Sequence, residues 1–135
     1  MTKKQLNALS YEILGCAIEV HKQFGPGLLE SVYQECMINE LILRGFKVQV
    51  EQRVLLYYKG KLISKKYRLD LLVNNEVIVE LKSVDYLIPL HIAQLLTYMK
   101  LSKKPKGLLI NFNCVNIING CRSLVNEFFA ALPDR

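Results

Sequence analysis

Three residues set the chemical question: Asp70, Glu80 and Lys82. The run Val77-Ile78-Val79-Glu80-Leu81-Lys82 has the composition of a strand. An extended chain puts Val77, Val79 and Leu81 on one face and Ile78, Glu80 and Lys82 on the other. An acid and an ammonium then stand side by side in an otherwise apolar strand. Buried charge is costly unless it is paired or holds a metal, so a strand with only a structural role would avoid this pattern. Asp70 interrupts Leu69, Leu71, Leu72 and Val73 in the same way. Its face depends on the turn between the two strands. A two-residue turn at Asn74-Asn75 pairs Val73 with Glu76, sets Asp70 opposite Val79 and leaves Glu80 on the far face. A three-residue turn, Asn74 to Glu76, pairs Val73 with Val77 and sets Asp70 opposite Glu80, with β-carbons ~5 Å apart. Carboxylates that close repel unless a proton or a cation bridges them. A hard, oxygen-seeking ion, Mg²⁺ or Mn²⁺, suits such a pair. The metal expectation therefore requires the odd-length turn.

The elements that must hold these residues follow from periodicity. Leu6, Leu9, Ile13, Leu14, Ala17, Ile18 and His21 have helical spacing, broken by Gly25-Pro26-Gly27. A second helical pattern runs from Leu28 to Leu41 and ends near Arg44-Gly45. From Phe46 the period becomes two. Tyr58 to Lys61 and Asn74 to Glu76 read as turns, giving a three-stranded antiparallel meander. Pro89 can start a helix over Leu90–Leu101, in which His91, Gln94 and Tyr98 line one face beside core positions at Leu95, Leu96 and Met99. Leu108–Phe112 fits a buried strand, and Ser123–Leu132 reads as a closing helix. The expected order is α-α-β-β-β-α-β-α: an α/β (α+β) fold with a mixed four-stranded sheet flanked by helices.

The chain of 135 residues suits a single domain over 1–135. No apolar run approaches the ~20 residues of a membrane span, and the amphipathic start does not resemble a signal peptide. A net charge of +6 suits a polyanionic partner such as nucleic acid, and suits simple solubility about as well. Cys16, Cys36, Cys114 and Cys121 lack the tight grouping of a zinc or iron–sulfur site, so they read as reduced, mostly buried residues of a cytoplasmic protein.

Two resemblances now attach to particular residues. Arg68-Leu69-Asp70, with Glu80-Leu81-Lys82 ten residues on, resembles the D…(D/E)-x-K signature of the PD-(D/E)XK nuclease superfamily. Leu69 stands where the superfamily usually has proline. Gly27-Leu28-Leu29-Glu30-Ser31-Val32-Tyr33 resembles the motif that names the GxxExxY protein family. Glu19-Val20-His21, His91 to Tyr98 and Gly107 to Phe112 agree with that family, so the likeness runs from about Ile13 to Val125. The resemblance implies a restriction-endonuclease-like core and a Mg²⁺- or Mn²⁺-dependent nuclease acting on DNA, or less readily RNA. It makes Asp70 and Glu80 metal ligands, with Glu30 and the backbone carbonyl of Leu81 as further ones. Lys82 would position or deprotonate the attacking water and stabilise charge at the phosphate. Gln94 would orient water or a substrate group.

Each residue also has a plainer reading. Glu30 can simply complement a helix N-terminus. Asp70 can guard a sheet edge, and Glu80 with Lys82 can be a half-exposed pair. His21, His91, Tyr33, Asn111 and Asn113 read as structural. Lys65, Lys66 and Arg68 are candidates to bind substrate phosphate, as are Lys103, Lys104 and Lys106, although a solvated surface accounts for these clusters equally well; Tyr98, a further substrate-binding candidate, reads more simply as a packing residue with a tethered hydroxyl. The competing function is a catalytically silent nuclease-fold module that binds nucleic acid or a protein partner. A homodimer with two sites facing two strands is a third reading.

Overall fold

The computed structural model describes residues 1–135. Helix α1 spans Lys3–Phe24 and opens on a reciprocal cap, in which Thr2 Oγ1 accepts from the Gln5 N–H and Gln5 Oε1 accepts from the Thr2 N–H. Its buried residues, Leu6, Leu9, Ile13, Cys16, Ala17 and Val20, keep the expected helical stripe. Helix α2 spans Glu30–Leu43. It starts two residues later than the periodicity suggested, because Gly27 takes a φ of 104° and Leu29 remains extended and exposed.

Strands β1 (Val48–Tyr58), β2 (Lys61–Val73) and β3 (Val77–Lys82) form the antiparallel meander. Helix α3 (Pro89–Ser102) crosses to β4 (Lys106–Asn111), which lies parallel to β3. The sheet is mixed and five-stranded, in the order β1-β2-β3-β4-β5, rather than four-stranded. The extra strand is β5, Cys121–Val125, antiparallel to β4 after a 3-10 turn at Ile117–Gly120. The expected closing helix over Ser123–Leu132 is therefore corrected. Its first part pairs with the otherwise open edge of β4, and only Glu127–Ala130 is helical (α4), capped by Asn126 Oδ1. Apolar content alone does not separate a short edge strand from a short helix.

The sheet divides two cores. Val77, Val79, Leu81, Leu71, Val73, Leu108 and Ile110 pack under α1 and α2. Ile78, Leu72, Leu109, Val54 and Leu69 pack under Leu95, Tyr98 and Met99 of α3. Gly107 permits that second contact, since a Cβ there would lie 2.7 Å from Met99 Sδ. Leu96, expected in this core, is 38 % exposed instead. All four cysteines are free, as expected, but only Cys16 is fully buried. No helix is long and apolar enough to cross a membrane.

Candidate active site

The turn between β2 and β3 has the odd length. Val73 pairs with Val77, Leu72 with Ile78 and Leu71 with Val79. Asn74 and Asn75 both take positive φ, at 50° and 58°, a conformation that asparagine tolerates better than most residues. One step beyond Leu71 and Val79 the regular ladder stops, and two side chains take over. The Asp70 N–H donates to Glu80 Oε1 at 3.3 Å, and the Leu81 N–H donates to Asp70 Oδ2 at 2.8 Å. The two carboxylates are thus locked beside each other by backbone donors, each using one oxygen.

A swivel in β2 brings Asp70 to this point. Leu69 and Leu71 would share a face in a regular strand, yet Leu69 packs under α3 and Leu71 under α1 and α2. The partner strand bends at the same level: Val50 pairs with Leu71 and Gln52 with Leu69, while Glu51 between them takes a φ of 51°. A non-glycine residue held in that region carries roughly 1–3 kcal/mol of strain. Nothing in the local sequence around Glu51 signals the bend.

Glu80 is 7 % exposed, and neither it nor Asp70 has a cationic partner within 4 Å, since the two salt bridges of the chain are Lys3–Asp134 and Arg44–Glu40. Burial first, and then the Asp70 carboxylate, push the Glu80 carboxyl far above the usual range, against the weaker pull of Lys82. Without a cation the Asp70–Glu80 pair therefore holds a proton more tightly than separate carboxyls would. Glu30 reaches the same neighbourhood. Burial, then the charge of Asp70, raise its carboxyl, while Lys82 lowers it.

The Gly27…Glu30…Tyr33 spacing has a physical basis. The Tyr33 hydroxyl donates to the Gly25 carbonyl at 2.6 Å and accepts from the Leu28 N–H at 3.1 Å, while its ring stacks on Phe112 at 4.5 Å. Ser83 Oγ donates to the Leu28 carbonyl at 2.7 Å. This knot fastens the loop before α2 to the end of β3 and fixes the first helical turn, whose Glu30 feels the charges of Asp70 and Lys82. Asn111 braces the other side: its Oδ1 accepts from the Val84 N–H and its Nδ2 donates to the Val84 carbonyl. Neither Ser83 nor Asn111 stood out in the sequence as part of a site. Their roles depend on partners 55 and 27 residues away.

On α3, His91, Gln94 and Tyr98 line one groove of about 370 Å³ together with Tyr67. Gln94 Nε2 donates to the Tyr98 hydroxyl at 3.0 Å. Burial, and then the charge of Glu80, raise the Tyr98 phenol, opposed by Gln94. His91 Nδ1 accepts from the Ile88 N–H, a helix-start contact. Lys65, Lys66 and Arg68 are exposed on β2. Lys106 is buried, with Nζ on Asn7 Oδ1 and over the Phe129 ring, so it is not part of any open basic rim.

No three His, Cys, Asp or Glu side chains close into one metal-holding group. The donors at hand are the Asp70–Glu80 pair, with Glu30 further out. A divalent ion that keeps several waters needs only one or two protein carboxylates. Two carboxylates locked together without an ion-pair partner fit such an ion.

The sequence model of the PD-(D/E)XK nuclease superfamily matches residues 7–123. No curated protein and no solved structure matches the chain. The mixed sheet flanked by helices is the restriction-endonuclease-like arrangement. By the extent of that match, the chain belongs to the PD-(D/E)XK nuclease superfamily.

Proposed function

We propose that residues 1–135 form one nuclease domain that hydrolyses phosphodiester bonds of DNA, or less readily RNA, with a bound Mg²⁺ or Mn²⁺. The observation that carries this reading is the Asp70–Glu80 pair, locked side by side by backbone N–H groups and lacking an ion-pair partner. Asp70, Glu80 and the Leu81 carbonyl would hold the ion, with Glu30 acting on its hydration shell. When bound, the ion supplies positive charge at the scissile phosphate and makes water more acidic. Binding it displaces the proton that the carboxyl pair otherwise holds. Lys82 lies one residue beyond Leu81, on the strand face of Glu80 and half-exposed. Its ammonium holds the attacking water and offsets the charge that develops on the phosphate oxygens. Tyr98 and Gln94 flank the substrate side of Glu80, and Lys65, Lys66 and Arg68 take neighbouring phosphates. The Gly27, Glu30 and Tyr33 arrangement supports the finer placement in the GxxExxY group.

Purified protein with Mn²⁺ should nick or degrade DNA, and Lys82→Ala should lower this by about 10²–10⁴-fold. Activity at the wild-type level in Lys82→Ala would place the reaction elsewhere. Calorimetric titration with Mn²⁺ separates the silent-module reading: heat with the wild type that is lost in Asp70→Ala supports the nuclease, and equal heats for both support the module.

A further inference from the structure

The hairpin of β1 and β2 runs far beyond the sheet. β2 pairs with β3 only over Leu71–Val73, so residues 52–69 have only each other as strand partners. Val54 and Leu69 pin the base of this arm to α3. The arm carries Arg53, Lys59, Lys61, Lys65, Lys66 and Arg68 and no acidic residue, which equals the net charge of the whole chain, +6. The remainder of the molecule is electrically balanced.

Within the arm, Arg53 and Arg68 are direct cross-strand partners. Their side chains emerge together on one face, both are exposed, and no carboxylate pairs with either. Like charges directly opposite destabilise a hairpin, and a lone two-stranded ribbon is already marginal in water. An anion between the two guanidiniums would reverse the sign of that interaction. Arg53 and Tyr57 also line a cleft of about 510 Å³ with Lys103 and Lys104 at the end of α3, and no acidic residue lines it. Tyr57 is 56 % exposed there. Arg68 lies two residues from Asp70 along the same strand.

We propose that this arm is the grip on a single strand of nucleic acid: Arg53 and Arg68 clamp one backbone phosphate, and Tyr57 stacks on an unpaired base. The polyanion is identified by the nuclease reading of the Asp70–Glu80 site, on which this inference rests. Bidentate guanidinium pairing suits a phosphodiester, and an exposed ring beside a basic cleft is a stacking platform for bases that a duplex keeps covered.

The test is fluorescence anisotropy with a labelled 12-nucleotide single strand and its duplex, in EDTA so that no cutting occurs. The single strand should bind the wild type more tightly than the duplex. Arg53→Gln/Arg68→Gln should weaken single-strand binding about tenfold or more at low salt and flatten its salt dependence by about one phosphate's worth of slope. Tyr57→Ser should weaken it about fivefold to a hundredfold. Lys22→Gln/Lys47→Gln, outside the arm, should leave it nearly unchanged. The double arginine variant should melt no lower than the wild type at low salt, because it removes a repulsion. Unchanged affinity in the arginine variant, an equal loss in the control pair, or a lower melting temperature would overturn the clamp. Tighter duplex binding, or unaltered binding by Tyr57→Ser, would overturn the single-strand assignment. Cutting without arm-dependent binding would sink this inference and leave the nuclease reading standing; arm-dependent binding without cutting would do the reverse.

Discussion

The two faces of β3 differ in what they ask of the same six residues. Val77, Val79 and Leu81 enter a core of 18 buried residues under α1 and α2. Ile78, Glu80 and Lys82 run along the face of α3, whose core holds eight, and only Ile78 joins it. The first face is uniformly apolar, and its burial is a stability term of the ordinary kind. The second passes from apolar to ionisable over three positions as the strand approaches its end. The contrast teaches that β3 is anchored through one face so that the other can carry a carboxyl group away from water. A strand anchored through both faces would have no room for the site, and one anchored through neither could not hold Glu80 against its desolvation cost.

Substitutions on the two faces should therefore separate function from stability. The largest effect is expected for Lys82→Ala: metal-dependent cleavage falling by about 10²–10⁴-fold, with the thermal midpoint nearly unchanged, read by plasmid nicking and thermal melting. Leu81→Ala, one position away on the other face, should lose ~2–5 kcal/mol of stability in urea titration. Its activity per folded molecule should stay well above that of Lys82→Ala. If the two variants behaved alike, the division of labour between the faces would be wrong.

A third prediction uses pH. The native carboxyl of Glu80 is raised above its ordinary 4.5, first by burial and then by Asp70. A raised native value favours the folded state fully below about 4.5, and this is lost as pH climbs toward the native value. In EDTA the melting temperature should fall across that window. Glu80→Gln should flatten most of the slope, leaving a remainder from Glu30, which is shifted in the same direction. A wild type that is flat from pH 5 to neutrality, roughly, would mean that Glu80 is already ionised without metal. The smallest effect belongs to Tyr33→Phe. Removing the hydroxyl frees the Gly25 carbonyl and the Leu28 N–H, costing roughly 1–3 kcal/mol. Cleavage should fall less than in Lys82→Ala, because Glu30 is loosened rather than removed. Cleavage and stability curves for this variant measure how much the loop knot contributes to the site.

Much of this arrangement was legible beforehand because it is written in short-range patterns. The stripe of α1, the alternation in β3 and the asparagine turn each depend on neighbours within one turn or one hairpin, and the odd turn set Asp70 beside Glu80 once its length was assumed. The sequence reads Ser123–Leu132 as a helix because whether Cys121–Val125 becomes a strand depends on an open edge at β4, a partner that lies outside any local window. Glu51 and Ser83 carry no signal in the sequence for the same reason: a backbone bend and a loop-to-strand hydrogen bond have no periodic signature.

By itself, the sequence determined which residues could do chemistry, the acid–ammonium spacing on one strand and the net positive charge. Tertiary structure alone decided that Glu80 is buried without a counter-ion, that Glu30 lies within electrostatic reach of Asp70 and Lys82, and that the excess charge sits on a projecting arm. Those outcomes depend on desolvation and on long-range proximity, which arise only when segments distant in sequence pack against one another.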